Sequence, residues 1–191
     1  MKPIQDIDQA LRALGELLAA AGEQHAIVVL GGAALNLLGF VQRVTRDVDV
    51  IAIAHPDQLN RLERPSQLSE TLERAVETVA RDLRLAPDWL NIVAAGQWDT
   101  GLPPGMETRL HWRRYDGLWV GLVDRQDLIF FKLYAAADDV GPHSVHFQDL
   151  LSLEPSDSEL DAAAAWIESQ DSSPQFLAGL QEVVRHVREA R

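Results

Sequence analysis

Residues 28–53 read VVLGGAALNLLGFVQRVTRDVDVIAI. A short apolar run ends at Gly31-Gly32. A segment of helical composition and a basic turn follow, and Asp47-Val48-Asp49-Val50 opens a second, β-branched run. In an extended strand, side chains i and i+2 share a face about 7 Å apart. Asp47 and Asp49 are therefore expected to project together, with Val48 and Val50 on the opposite face. Two neighbouring carboxylates repel, and gain a use when a cation sits between them. Mg²⁺ suits such a pair, because it takes oxygen ligands and usually keeps substrate phosphates in its shell. The glycines suit the phosphates: bare backbone can approach them closely, and a helix N-terminus offers unpaired N–H groups and the positive end of a dipole. An Asp-x-Asp alone most often reads as a buried strand followed by a charged turn that happens to hold two aspartates. What separates the two readings is the glycine pair, the helix and Arg43-x-Thr45, all in register with it.

Leu30-Gly31-Gly32, fourteen residues and then Asp47-Val48-Asp49-Val50 resembles the nucleotidyltransferase superfamily, which shares its fold with DNA polymerase beta. Within it, the text GGAALNLLGFVQRVTRDVDV looks closest to the AbiEii-like abortive-infection toxins and to the DUF6036 nucleotidyltransferases of bacteria. Both carry Gly-Gly-x-Ala-Leu followed by Arg-x-Thr-x-Asp-x-Asp, and Arg43, Thr45, Asp47 and Asp49 fill those places.

At 191 residues and 47% hydrophobic content, the chain suits one soluble globular domain, or one domain with a helical appendage. No apolar run approaches the ~20 residues that span a bilayer. The charged, amphipathic start MKPIQDIDQALRALGELL is unlike a secretory signal. Cysteine is absent, which excludes disulfides and thiolate metal sites and agrees with a cytoplasmic location. The net charge of −12 opposes any extended DNA or RNA surface, since such binding rests on Lys and Arg neutralising phosphates. A local basic cleft for an RNA end is still compatible with it.

Periodicity and breakers predict helix over residues 4–21, strand His25–Leu30, helix Ala33–Leu38, strand Asp47–Ala54, a polar loop His55–Pro65 and helix Leu68–Leu85. A Gly/Pro-rich stretch, residues 86–106, holds a short strand at Asn91–Ala95 and two tryptophans, Trp89 and Trp98. These read as loop plugs, or alternatively as stacking faces for a base. Glu107–Trp112 and Leu118–Val123 form a hairpin about Tyr115-Asp116-Gly117. Asp124 caps a helix reaching about Asp138, with a break at Gly141-Pro142. Helices Val145–Leu153, Ser156–Ser169 and Pro174–Arg191 follow, with a capping box at Ser156/Glu159 and Pro174 at a first helical position. The expected fold is α+β: a small mixed sheet with flanking helices and a C-terminal helical tail. Residues 1–124 form the nucleotidyltransferase core, and residues 125–191 form a helical region packed on it.

Lys132 is one of only two lysines, against fifteen arginines. Its helical neighbours Leu128, Ile129, Ala135 and Ala136 make an apolar face, so its ammonium either reaches the Asp47/Asp49 carboxylates or a nucleotide phosphate, or snorkels to water. The resemblance implies the former: Leu128 to Ala135 matches a Leu-x-x-x-Lys-Leu-x-Ala helix whose lysine engages the nucleotide. The same families continue with Lys-Asp-x-x-Asp-Leu. Here Val145 and His146 replace the first two residues, and Asp149 keeps the second Asp. A third carboxylate on a later strand is also implied, and Glu107 on the hairpin is a candidate. His143 and His146 lack a third ligand and read as surface residues, as do Arg113 and Arg114.

The resemblance thus implies an enzyme that moves an NMP group from an NTP to an acceptor. Asp47 and Asp49 hold Mg²⁺, with Mn²⁺ able to replace it. Gly31, Gly32, Arg43, Thr45 and Lys132 hold the nucleotide, and Asp47, Asp49, Lys132 and Asp149 serve catalysis. The acceptor is a tRNA end, a protein or a small hydroxyl compound. The setting is a toxin–antitoxin pair with a cognate antitoxin protein as partner. The alternative is a catalytically idle nucleotide- or partner-binding module of such an operon.

Overall fold

The structure, a computed structural model, describes residues 6–139 and 143–190. Two compact units divide the chain between Val123 and Asp124. The fold is α+β.

In the first unit, helix α1 (Ile7–Ala20) is capped by Asp6, whose carboxylate accepts from Gln9 N at 3.0 Å. Strand β1 (His25–Leu30) runs into helix α2 (Gly31–Leu37), which starts two residues earlier than periodicity suggests. Strand β2 (Val48–His55) turns tightly into β3 (Gln58–Glu63), where the polar composition predicts only a loop. Neither face of β3 is wholly buried, so no apolar alternation marks it. Its backbone bonds to β2 hold it at the sheet edge. Helix α3 (Glu70–Leu83) is capped by Ser69, and two-residue strand β4 (Leu90–Asn91) follows. A 3₁₀ turn over Val93–Gly96 and the one-turn helix α4 (Gln97–Thr100) lead to a second 3₁₀ turn at Met106–Thr108. Strands β5 (His111–Tyr115) and β6 (Leu118–Leu122) form the expected hairpin, but it begins only at His111.

The sheet order is β3-β2-β1-β6-β5, with β4 also paired to β2. β1 is antiparallel to β2 and parallel to β6, while β4 runs parallel to β2. One face carries Ile27, Val29, Val48, Val50, Leu118, Val120 and Leu122, buried under the apolar stripes of α1 and α3. Across β1 and β2, Val29 pairs with Val50 but Val28 pairs with Ala52, leaving Ile51 as an extra residue. This bulge inverts the alternation of β2, so the core-facing set passes from Val48 and Val50 to Ile53.

The segment 92–110 covers part of the sheet's other side. The Trp98 indole N–H donates to Ile51 O at 2.7 Å, and Trp89, fully buried, donates to Val76 O at 3.1 Å. Both tryptophans are therefore plugs pinned through their one polar atom. Arg64 donates to Asp99 from both terminal guanidinium nitrogens, at 2.6 and 2.9 Å. Helix α1 meets the hairpin turn backbone to backbone, for a Cβ on Gly15 would lie 1.9 Å from Tyr115 O.

The second unit is helical: α5 (Arg125–Asp138), α6 (Val145–Ser152), α7 (Asp157–Gln170) and α8 (Pro174–Glu189). Asp124 caps α5, the Ser156/Glu159 capping box is complete, and Pro174 opens α8. The break expected at Gly141-Pro142 lies outside the described residues. Helix α5 is buried almost all round and packs on α6, α7 and α8. Phe130 and Phe131 lie against Trp166 of α7, with ring centroids 5.6 and 6.4 Å apart.

Candidate functional site

The centre of the site is the seam between the end of β1 and the start of β2. Leu30 pairs with Asp49, which sets the glycine turn beside the carboxylate. Gly31 has φ +73, a left-handed conformation that a side chain disfavours. A Cβ there would also lie 2.9 Å from Asp49 Oδ2. Two separate demands thus require glycine at position 31. Gly32 backs onto the basic turn: a Cβ there would lie 3.0 Å from Thr45 Oγ1 and 3.5 Å from an Arg43 guanidinium nitrogen. The four residues Gly31, Gly32, Arg43 and Thr45, named from sequence, therefore cluster, and Asp49 is with them.

The turn 38–47 is held from within. Asn36 Nδ2 donates to Arg43 O at 3.0 Å. Thr45, buried, donates to the backbone carbonyl of Asp47 at 3.2 Å. That bond fixes the chain just before β2, where Asp47 precedes Val48. Asp47 and Asp49 are both half-buried, while Val48 between them lies in the core. Val48 N donates to Trp89 O at 2.6 Å, anchoring the strand's first residue to the chain that leads into β4. A cleft of about 350 Å³ lies along the same turn, lined by Ile7, Asn36, Gly39, Val41, Gln42, Arg43 and Val44. Two half-buried carboxylates suit Mg²⁺, which is commonly held by one or two carboxylates plus substrate phosphates. Among the described residues no three His, Cys, Asp or Glu side chains come together as a metal-binding group. The donor set here is the two carboxylates Asp47 and Asp49, whose chemistry fits Mg²⁺.

Glu107 is not on the hairpin as expected. It is exposed in the 3₁₀ turn Met106–Thr108, because Gly105, in a left-handed conformation, ends the preceding chain and starts that turn. Asn91, which sequence reasoning passed over, does lie beside the pair: β4 sets it opposite Asp49, and the core residue Leu90 opposite Val48. Arg113 is spent on Leu37 O at 2.7 Å, and Arg114 lies over the Trp119 ring at 5.1 Å.

In the second unit, Lys132 on α5 and Asp149 on α6 meet: Nζ to Oδ2 is 2.8 Å, with the side chains 7% and 2% exposed. Lys132 therefore does not snorkel to water. The two residues that the sequence singled out separately form one buried ion pair. Of the histidines, His143 is exposed and His146 half-buried.

A mixed sheet with a glycine turn abutting a carboxylate on the neighbouring strand, and a second carboxylate just before that strand begins, is the arrangement of a nucleotidyltransferase-like protein. A family model described as "Nucleotidyltransferase of unknown function (DUF6036)" matches residues 4–187, and the chain belongs to that family. No curated protein and no solved structure matches it.

Proposed function

We propose that this protein is a Mg²⁺-dependent nucleotidyltransferase that transfers an NMP group from an NTP to an acceptor hydroxyl, releasing pyrophosphate. The observation that carries this reading is the approach of Gly31 to Asp49, so close that a single methyl carbon would touch the carboxylate. A backbone stripped of side chains next to a cation ligand is what a triphosphate with its metal requires. Asp47 and Asp49 would hold the ion, with Mn²⁺ as a substitute. When bound, a divalent ion neutralises phosphate oxygens and stabilises the attacking and leaving oxygens of an in-line displacement.

The chain's own residues do the rest. Gly31 and Gly32 present bare backbone to the phosphates, and the Arg43 guanidinium beside Gly32 adds positive charge. Thr45 fixes the carbonyl of Asp47 and so the entry angle of the strand. The resemblance gives Lys132 and Asp149 catalytic roles, and their buried ion pair within the helical unit keeps that ammonium charged. The acceptor is a tRNA end, a protein or a small hydroxyl compound, and the biological setting a toxin restrained by a cognate antitoxin.

Incubation of the protein with each labelled NTP, Mg²⁺ and a cell extract tests the reading. Label should pass from one NTP to an acceptor, and neither Asp47→Asn nor Asp49→Asn should transfer it. NTP binding without transfer under any condition would overturn the enzymatic reading in favour of an idle nucleotide-binding module.

A further inference from the structure

Strand β4 is two residues long, yet it neighbours the start of β2 on the side away from β1. Its parallel register places Leu90 beside Val48 and Asn91 beside Asp49. Registered neighbours in a sheet share a face, with Cβ atoms about 5 Å apart. Leu90 and Val48 are both in the core, which leaves Asn91 and Asp49 together on the opposite face, both half-buried. Asp49 thus has the Gly31 backbone on one flank and the Asn91 amide on the other. The Asn91 side chain is oriented: its Oδ1 accepts from Val93 N at 3.0 Å. With the oxygen tied back, the NH₂ group is what remains to serve a ligand, and it can donate but not accept.

We infer that Asn91 is a further side chain of the nucleotide site, donating from Nδ2 to a phosphate oxygen of the NTP held at Asp49. The inference rests on the reading of Asp47 and Asp49 as the metal site. It adds that the strand position beside them is neutral. With Asn91 in that place, the carboxylate charge of the site is that of Asp47 and Asp49 alone, −2, which one divalent cation balances. A phosphate can then approach Asn91 without meeting a third negative charge.

Asn91→Asp keeps an acceptor for Val93 N while replacing the donor with a carboxylate. Asn60→Asp, on the exposed edge strand β3, adds the same charge elsewhere and serves as the control. Mn²⁺ binding followed by paramagnetic resonance without nucleotide, and binding of a non-hydrolysable NTP analogue with Mn²⁺ followed by calorimetry, are the two readouts. Asn91→Asp should bind Mn²⁺ alone about tenfold more tightly, as a charge added within ~5 Å of the ion demands. It should bind the analogue several-fold more weakly than wild type, relative to its metal affinity. Asn60→Asp should match wild type in both. If Asn91→Asp also matches wild type while Asp49→Asn loses Mn²⁺, Asn91 is outside the site and this inference falls while the metal reading stands. If wild type binds Mn²⁺ no better than Asp49→Asn, both fall.

Discussion

At the scale of single residues, the site depends on what is missing from positions 31 and 32. Gly31→Ala must place a side chain in a left-handed conformation, a cost of about 1–2 kcal/mol, and must also push on Asp49 Oδ2. We expect a drop of several degrees in Tm and weakened Mn²⁺ binding, checked by thermal melts and metal titration. Asp47→Asn should abolish metal-dependent NTP binding and leave Tm unchanged or raised, because an empty carboxylate pair repels; undiminished calorimetric binding would remove Asp47 from the metal site. The meeting of the glycine turn with Asp49 was legible locally, from a missing side chain and from strand alternation, whereas Asp47, expected on the same strand, lies just before it. Asn91 was not legible. Its place beside Asp49 comes from pairing between strands far apart in the chain, and Asn in a loop-rich stretch has many ordinary uses.

Among the elements, the ion pair joining α5 to α6 offers the sharpest test. Removing one member leaves the other charge buried, and Lys132→Met should destabilise the protein by about 3–5 kcal/mol, read by urea denaturation. The double variant Lys132→Met/Asp149→Leu replaces the pair by apolar groups and should recover most of that loss. If Lys132 also serves the transferring group, the double variant regains stability without regaining transfer; recovery of both would make the pair structural only. The sequence showed Lys132 as out of place on its helix and Asp149 through the family motif, but not that they met. A second ion pair sets an acid response. Arg125 grips Glu159 at 2.5 Å, and mainly by that bond holds its carboxyl down to about 2. The stability it contributes is complete above the ordinary carboxyl value near 4.5 and fades as pH falls towards about 2. Glu159→Gln should therefore be less stable at neutral pH, flatter between these limits, and close to wild type as pH falls through about 2, as followed by circular dichroism. The docking of α1 is stricter still. Gly15→Ala would drive a methyl into the Tyr115 carbonyl, so loss of the native fold is the expected result, seen as a missing cooperative melt.

For the molecule as a whole, charge governs which acceptors it can take. With −12 overall, an RNA acceptor should be held through few phosphates. The slope of log K against log[salt] should then be shallow, about −2 to −3 at ~0.7–0.9 per contact. A slope near −8, or tight binding to random duplex DNA, would reveal an extended basic surface. Arg43→Glu should reduce transfer, with folding checked alongside because Asn36 braces the same turn. The order of helices and strands was largely readable from periodicity and caps. The exception, β3, has polar residues on an exposed edge and is held by backbone bonds that composition does not record.

The scarcity of lysine, joined to the burial of Lys132, has a practical corollary. Apart from Lys2 and the α-amino group, Lys132 is the chain's one target for amine-acylating reagents. In the native protein its nitrogen is shielded and ion-paired, so acylation there must wait for the α5–α6 contact to open. The rate of label incorporation at that residue, read by mass spectrometry, is therefore a clock for opening of the helical unit. It needs no introduced probe, and a ligand that steadies this unit would slow it.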